Sequence, residues 1–395
     1  MKPRTLVNHP PAADLAPDNR PVVAPIYQSV KFAFDTVAET QRLLRGEREG
    51  YFYTRDSNPT TRQLERLLAD LQGREECLCV GSGVAAVSSA LFGLLKGGDH
   101  VLCFAESYGP SRHFLRRMLG RYGVTHTLMS IEDDAGIERE LAARPTRLVL
   151  FESPTNPVTK IADIARLTRA ARAHGALTVM DNTFAGFHNH GQYDVDMFVH
   201  SLTKFANGHS DVMAGAIIAN AALLKSIRHD VTTLGPVLDP HAAFLVLRGM
   251  RTYYLRYEAQ CASAQRIAAW LEAHPAVARV HYPGLASHPR HALAREQMHD
   301  FGAVVSFDLA EGPGGAMECG RRFTDTLQLF AATPSLGSVE SLVMPPQIMQ
   351  PRDMPDELRA ATALTPGTVR LSIGIEDCDD LIEDLGRGLA AATAG

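Results

Sequence analysis

The sequence lacks the marks of several large protein classes. Its six cysteines form no CxxC pair, so neither a disulfide framework nor a paired-cysteine metal site is indicated, and we expect reduced thiols in a cytoplasmic protein. The first residues contain no apolar segment of the kind found in signal peptides. No apolar run reaches the roughly 18 residues of a membrane span. Secreted, disulfide-stapled and membrane-spanning proteins are therefore disfavoured.

An excess of charge of one sign is also missing. The chain carries 39 Lys and Arg against 44 Asp and Glu, a net charge of −5 at pH 7, which argues against a nucleic-acid or membrane-surface partner. The motifs HExxH, GxSxG and GxxxxGK[ST] are absent, so zinc proteases, α/β-hydrolases and P-loop enzymes lose their usual support. His188 and His190 lack the spacing of a metal site, and we interpret them as loop or surface residues.

The 395 residues, of which 45% are hydrophobic, are enough for two or three domains with a large core. Residues 1–55 are rich in proline, which predicts an arm that packs on a neighbouring subunit. Residues 56–240 alternate short apolar runs with amphipathic stretches, whereas residues 241–395 begin with a long helical pattern. We therefore predict a large domain over 56–240 and a smaller α+β domain over 241–395.

The alternation in the large domain predicts an α/β fold with a mostly parallel sheet covered on both faces. The long helical pattern covers 240–274, and further strands are predicted at 280–285, 304–309 and 369–373. In parallel sheets ligands bind beyond the carboxyl ends of the strands, so polar residues at these ends are candidates for function. The strands predicted in the large domain are Glu76–Val80, His100–Phe104, Arg147–Phe151, Leu177–Asp181, Met197–Ser201 and Gly215–Ala219.

One candidate site is the glycine-containing turn Gly81–Ala86, which follows a predicted strand and opens a predicted helix. Such a turn lets backbone N–H groups approach an anion, so it suits a phosphate. It also fits G-x-G-x-x-A with Glu106 about 20 residues further on, as in dinucleotide-binding folds. A tight turn without a ligand is a third interpretation, and this segment alone does not separate the three.

Two more strand ends add chemistry. Ser201 and Thr203 flank a lysine, Lys204, whose amine becomes nucleophilic if burial lowers its pKa. Asp181 ends another strand and suits a metal, a ribose, a protonated ring nitrogen or a helix cap. A phosphate cradle, a lysine able to form a Schiff base and a carboxylate are together what pyridoxal phosphate requires. A dehydrogenase that binds NAD explains only the cradle.

Longer motifs occur along the chain in a fixed order. They are Tyr53–Thr60, Ser82–Ala86, Glu152–Pro157, Asp181–Phe184, Ser201–Lys204, Gly208–Asp211, Arg248–Thr252, Ser335–Gly337 and Arg370–Asp377. In this order they resemble the motifs of the pyridoxal-phosphate enzymes of Cys/Met metabolism, which include cystathionine γ-synthase, cystathionine β- and γ-lyase, methionine γ-lyase and homoserine-ester sulfhydrylases. The resemblance extends from about residue 20 to residue 390 and implies the aspartate-aminotransferase-like fold type I.

The resemblance implies a role for each matching residue. Lys204 would hold pyridoxal 5'-phosphate covalently and move protons, Asp181 would pair with the ring nitrogen, and Tyr108 would stack on the ring. No metal is implied. The residues implied at the phosphate are Gly83, Val84, Ser201 and Thr203, joined by Tyr53 and Arg55 from a neighbouring subunit. Those implied at the substrate carboxylate are Arg370, Asn156 and Ser335.

The implied activity is a transsulfuration-type carbon–sulfur lyase in a cytoplasmic homotetramer, acting on cystathionine or a related sulfur L-amino acid. Departures from family patterns leave γ-replacement by a cystathionine γ-synthase or homoserine-ester sulfhydrylase as the alternative. These departures are Pro334 before Ser335, Pro110 after Tyr108, and the stretch 346–349. An NAD-dependent dehydrogenase and a non-catalytic relative are remote alternatives.

Overall fold

A computed structural model describes residues 21–349 and 354–394. The arm predicted over 1–55 therefore lies partly outside the described residues. Its described part contains one helix, α1 (Val37–Leu44), and an isolated bridge that pairs Lys31 with Tyr53. Whether this arm contacts a neighbouring subunit stays a prediction.

The large sheet has seven strands in the order β1-β7-β6-β5-β4-β2-β3. Strand β7 is antiparallel to both of its neighbours, whereas β6, β5, β4, β2 and β3 pair in parallel. The predicted mostly parallel α/β fold is therefore confirmed. The strands are β1 (Glu76–Val80), β2 (His100–Phe104), β3 (Thr125–Met129), β4 (Leu148–Glu152), β5 (Leu177–Asp181), β6 (Met197–Ser201) and β7 (Gly215–Ala219).

Helices and buried side chains cover both faces of this sheet. The first of these helices, α2, begins where Asn58 Oδ1 accepts the Thr60 N–H at 2.9 Å, and it ends at Gly73 with φ of 66°. One of the amphipathic stretches, residues 112–122, forms a π turn and a 3₁₀ turn over most of its length instead of an α-helix. The helices are α2 (Pro59–Gln72), α3 (Gly83–Leu94), α4 (Gly109–His113), α5 (Asp134–Ala143), α6 (Ile164–Ala173) and α7 (Ala221–Leu234).

The second sheet is smaller, with five strands in the order β10-β11-β12-β9-β8. Its strands are β8 (Val277–His281), β9 (Val304–Leu309), β10 (Ala331–Ala332), β11 (Leu342–Met344) and β12 (Thr368–Ser372). Its helices are α8 (Pro240–Met250), α9 (Tyr253–Glu272), α10 (His291–Gln297), α11 (Ala316–Thr326), α12 (Pro346–Met349), α13 (Asp356–Ala361) and α14 (Cys378–Thr393).

Two predictions for this part of the chain were wrong in detail. The single helix predicted over 240–274 is two helices, because the chain breaks at Arg251 and Thr252. The strand predicted over 280–285 ends at His281 and starts earlier, at Val277. The domain boundaries at residues 55 and 240 stay a prediction. Within the described residues, no helix has both the length and the apolarity that a membrane span needs.

Candidate active site

Three strands of the large sheet end at one cavity of about 310 Å³. Glu152, Asp181 and Ser201 are the last residues of β4, β5 and β6, and all three line it. Because these strands are parallel neighbours, their carboxyl ends meet at one edge of the sheet. The opposite wall comes from the second sheet and its connections, which contribute Ser335 and Arg370.

Lys204 projects into this cavity three residues after β6. Its Nζ donates to Ser335 Oγ at 2.6 Å, and no carboxylate of the described residues lies within ion-pair distance of it. Burial, and secondarily the positive charge of Arg370, lower the pKa of Lys204 from 10.5 to about 8. The side chain is therefore a lysine whose neutral, nucleophilic form is accessible near neutral pH.

Arg370 lies in the middle of β12, where only 3% of its surface is exposed. One guanidinium nitrogen donates to Asn156 Oδ1 at 2.8 Å and the other to the Ser335 carbonyl at 2.5 Å. The buried Nε has no hydrogen-bond partner within residues 21–349 and 354–394. Burial lowers the pKa of Arg370 to about 10. A buried cation without a carboxylate partner is suited to an anionic ligand.

Asp181 is held in place by the residue two positions further on. Both the backbone N–H and the hydroxyl of Thr183 donate to Asp181 Oδ1, at 3.0 and 2.6 Å. Burial raises the pKa of Asp181 above its usual value, and the two hydrogen bonds from Thr183 partly offset this shift. The Thr183 hydroxyl also accepts the N–H of Ser201 at 2.9 Å, which ties the end of β5 to the end of β6.

The N-terminus of α3 faces the same cavity with Gly83 and Val84. A Cβ at Gly83 would lie 2.5 Å from the Cβ of Ser201, so only glycine allows this close approach. Ser82 caps the helix by accepting the N–H of Ala85 at 3.0 Å. The N–H groups at the start of a helix are suited to an anion, and this start lies beside Ser201 at the cavity.

The dinucleotide interpretation of this turn fails at Glu106. That carboxylate is buried, accepts the Ser130 hydroxyl at 2.9 Å and pairs with Lys160 at 3.0 Å. It is therefore occupied by groups of the protein and is not a free acid for a ribose. The phosphate interpretation has the geometric support, because the turn opens into the cavity that contains Lys204.

Tyr108 follows β2 and reaches the rim of the cavity, with 41% of its surface exposed. Its backbone N–H donates to Glu152 Oε2 at 3.1 Å. Burial, and then the negative charge of Asp181, raise the pKa of the Tyr108 hydroxyl. The side chain of Tyr108 thus lies at the exposed rim of the site, and its backbone is tied to the end of β4.

The structure brings most of the predicted site residues together, but it leaves two outside. Tyr53 and Arg55 lie at the surface, where the guanidinium stands 5.5 Å from the tyrosine ring, and neither lines the cavity of its own chain. Their role toward a neighbouring subunit stays a prediction. Thr203 lines the cavity, yet its hydroxyl already accepts the N–H of Ala214 at 3.0 Å.

The interpretation of His190 as a loop or surface residue is confirmed for the loop and not for the surface. His190 lies in the connection between β5 and β6, but it is fully buried, and its Nδ1 lies 2.8 Å from Asn182 Oδ1. Burial lowers the pKa of His190 to about 3, so it is a neutral core residue. The side-chain amide of Asn182 takes the place of water as the hydrogen-bond partner of His190. The sequence around a single histidine does not indicate such a buried partner.

Sequence reasoning assigned no role to several residues of the site. Glu152 ends its strand just as Asp181 does, so the same criterion could have found it. Thr183 stood in a quoted motif without a function. Met344 and Leu336 form apolar parts of the wall, and nothing in their local sequence distinguishes them from core residues.

The donor set fits pyridoxal phosphate. An amine of lowered pKa, a buried carboxylate, an anion-binding helix start and an aromatic ring surround one cavity. A model of the Cys/Met metabolism PLP-dependent enzyme family matches residues 6–390. The chain belongs to this family. Its cofactor is therefore pyridoxal 5'-phosphate, as predicted, and the fold and family predictions are confirmed.

Relatives within the family catalyse more than one reaction. The L-methionine gamma-lyase of Pseudomonas putida is 41% identical over 377 residues, which cover 94% of this chain and 93% of the relative. The cystathionine beta-lyase of Lactococcus lactis subsp. cremoris is 36% identical over 371 residues, covering 93% and 94%. The relatives thus include carbon–sulfur lyases of both elimination types.

The fold is also that of a solved γ-synthase. The cystathionine gamma synthase of Xanthomonas oryzae pv. oryzae has a TM-score of 0.87 and 37% identity, covering 94% of this chain and 93% of its own. Free amino acids are the substrates of the family. Membership in the family therefore fixes the cofactor and the substrate class but leaves elimination and replacement to be assigned.

Proposed function

We propose that this chain is a PLP-dependent carbon–sulfur lyase that eliminates a thiol from cystathionine or a related sulfur L-amino acid. The observation that carries the proposal is the placement of Lys204 and Arg370 in one cavity, bridged by Ser335. The lysine has a lowered pKa and the arginine lacks a carboxylate partner among the described residues. One is suited to proton transfer at Cα and the other to the substrate carboxylate.

The residues of the site divide the work between binding and proton transfer. When bound, the cofactor supplies a sink for the negative charge that develops at Cα. Arg370 and Asn156 bind and orient the substrate carboxylate. Lys204 Nζ takes the proton from Cα, and Asp181 holds a proton at the ring nitrogen. Departure of the thiol leaves an unsaturated amino acid, which water converts to an oxo acid and ammonia.

The anion-binding turn anchors the phosphate in this proposal. The N–H groups of Gly83 and Val84 and the hydroxyls of Ser201 and Thr203 surround the position at the start of α3. The Thr203 hydroxyl, which donates to the Ala214 carbonyl at 3.4 Å, would contribute by turning its proton from that long bond to the phosphate. Tyr108 covers the ring from the rim. Tyr53 and Arg55 of a second copy complete the phosphate site.

Replacement at Cγ, as in a cystathionine γ-synthase or homoserine-ester sulfhydrylase, is the second candidate function. The similarity to the Xanthomonas oryzae synthase favours it. The two reactions share proton removal by Lys204 and differ in what leaves and whether a thiol adds. The assay below therefore separates them by product rather than by site residue.

We further propose a cytoplasmic homotetramer built from two dimers. Large apolar side chains remain strongly exposed on the single chain, among them Met213 (71%) beside the cavity and Leu255 (72%) on α9. Exposed apolar surface of this kind marks contacts between subunits. The net charge of −5 supports small-molecule rather than nucleic-acid or membrane partners.

Two measurements test the proposed function. Borohydride should bleach the yellow holoenzyme and leave a pyridoxyl group on the peptide that contains Lys204, and an unmodified Lys204 would refute the mechanism. Pyruvate and 2-oxobutyrate are then measured with cystathionine, methionine and homoserine esters. Oxo acid and thiol released from the sulfur amino acids support elimination, whereas products formed only from esters plus a thiol support replacement.

A further inference from the structure

The carboxylate of Glu152 joins two loops of the site. Its Oε2 accepts the backbone N–H of Tyr108 at 3.1 Å, and its Oε1 accepts that of Asn156 at 2.7 Å. Tyr108 follows β2 and Asn156 follows β4, and these two strands are parallel neighbours. A single side chain at the end of β4 therefore holds the segments that extend from two adjacent strands.

The bonds continue from Asn156 toward the substrate-binding side of the cavity. Asn156 Oδ1 accepts a guanidinium N–H of Arg370 at 2.8 Å. Because Glu152 fixes the backbone of Asn156, it also fixes the position of the amide oxygen that accepts from the Arg370 guanidinium. Tyr108, held by the other oxygen, supplies the aromatic ring at the rim.

Within residues 21–349 and 354–394, no ion pair explains the burial of Glu152. Only 7% of its surface is exposed, and burial, and then the negative charge of Asp181, raise its pKa to about 8. Its register partner across the sheet is Asp181, a second carboxylate. Two buried acids placed side by side are costly to the fold, so a functional reason for retaining Glu152 is indicated.

We propose that Glu152 is a positioning residue that sets the distance between the Tyr108 ring and the carboxylate-binding pair Asn156–Arg370. This inference rests on the proposed function, because that function gives the ring and the pair their roles. Glu152 acts through the two backbone N–H groups and not on the reacting atoms. Loss of one bond displaces one loop relative to the other, and displacements of about 1 Å can cost about 100-fold in rate.

The test is Glu152→Gln, which keeps the size of the side chain. Its amide oxygen can accept only one of the two N–H groups, and its NH₂ faces the other. The matched control is Asp384→Asn on α14. Asp384 is fully buried and accepts the backbone N–H groups of Gln328 and Leu329 at 3.0 and 2.9 Å, but it lies outside the cavity.

We expect Glu152→Gln to lower kcat/KM for the best sulfur amino acid at least about tenfold and to raise the apparent Kd of glycine. Glycine binding is followed by the absorbance of the bound cofactor. Asp384→Asn should stay within about twofold of the unmodified chain in both measurements, although both variants lower the melting temperature of the cofactor-free protein. The glycine titration tests the positioning role even if the unmodified chain releases no thiol, a result that would refute only the proposed function.

A double variant tests whether Glu152 acts through Asn156. If it does, Glu152→Gln combined with Asn156→Ala should raise the glycine Kd by less than the product of the two single effects. The inference is overturned if Glu152→Gln leaves the glycine Kd and kcat/KM within about twofold of the unmodified chain. It is equally overturned if Asp384→Asn reduces them as much, or if the double variant shows fully multiplicative effects.

Discussion

Two lysines of this chain sit in opposite surroundings. Lys160 is buried between Glu106 and Glu132, at 3.0 and 2.9 Å, and also donates to the Ala361 carbonyl at 2.5 Å. Lys204 donates to one hydroxyl, that of Ser335, and the positive charge of Arg370 contributes to its lowered pKa. The first ammonium is neutralised and locked by its neighbours, whereas the second has no counter-ion in the described chain.

The difference shows how one residue type serves structure at one place and chemistry at another. Lys160 Nζ is held in two ion pairs within the fold. At Lys204, burial and then the positive charge of Arg370 lower the pKa of the amine, so its neutral form is accessible near neutral pH. Lys204 is therefore a candidate catalytic residue because it is buried beside a cation and has no carboxylate partner among the described residues.

Removing the reactive lysine should have the largest effect. Lys204→Ala should lower kcat at least about 1,000-fold, because proton transfer at Cα loses its base. Initial rates of oxo acid formation, with the cofactor-bound fraction measured by absorbance, check this. A residual rate within about tenfold of the unmodified chain would remove Lys204 from the reaction.

Removing the structural lysine should affect stability instead. Lys160→Met strands two carboxylates and should reduce the free energy of unfolding by about 3 kcal/mol, with kcat of the folded protein unchanged. Urea unfolding measures this, with the exposed Lys225→Met as the matched control. Equal stability of the two variants would show that the ion pairs of Lys160 contribute nothing.

Arg370, whose charge helps to lower the pKa of Lys204, is also the proposed binding partner of the substrate carboxylate. Arg370→Gln should raise KM about 30-fold, because the substrate carboxylate loses a charge-assisted pair. Arg370→Lys keeps the charge but not the planar fork and should give an intermediate KM. Steady-state kinetics on one sulfur amino acid suffice, and an unchanged KM in Arg370→Gln would place carboxylate binding elsewhere.

The smallest expected effect is on the pH dependence of stability without cofactor. The folded state lowers the pKa of Lys204 from 10.5 to about 8, so it disfavours the protonated amine, and this penalty is fully present below pH 8. Stability should rise between about pH 8 and 10.5, where the unfolded chain binds more protons. The free energy of unfolding of cofactor-free Lys204→Met should therefore be about 1 kcal/mol higher than that of the unmodified chain at pH 7. This value includes a reduction for the partial exposure of the amine to solvent.

The difference between Lys204→Met and the unmodified chain should vanish above about pH 10.5, where the amine is neutral in both the folded and unfolded states. Denaturant melts at several pH values check this. If the stability difference stays constant from pH 7 to 11, it arises from altered packing of the side chain and not from the charge of the amine.

The sequence predicted the elements that are most regular. Apolar runs bounded by turns located β1, β2, β5, β6 and β7 to the residue. β3 (Thr125–Met129) was missed because three of its five residues are threonine or histidine and it lies at the sheet edge. The break between α8 and α9 was missed because Arg251 and Thr252 carry no glycine or proline signal.

The candidate site was predictable where a residue ends a strand and not where it depends on distant partners. Asp181 and Lys204 were found from local context. The predicted role of Ser335 in substrate binding stays a prediction. What the sequence did not show is that its hydroxyl accepts from a lysine 131 residues away and its carbonyl from an arginine 35 residues away. Such pairings follow from how the second sheet packs on the first, which no local pattern encodes.

That double use of Ser335 has a consequence for inhibitor chemistry. Its hydroxyl accepts from Lys204 while its carbonyl accepts from Arg370, with the backbone held at a φ of 107°. A carboxylate ligand must compete with this carbonyl for the guanidinium. A neutral compound meets no such competition and would leave the bond between Arg370 and the Ser335 carbonyl in place.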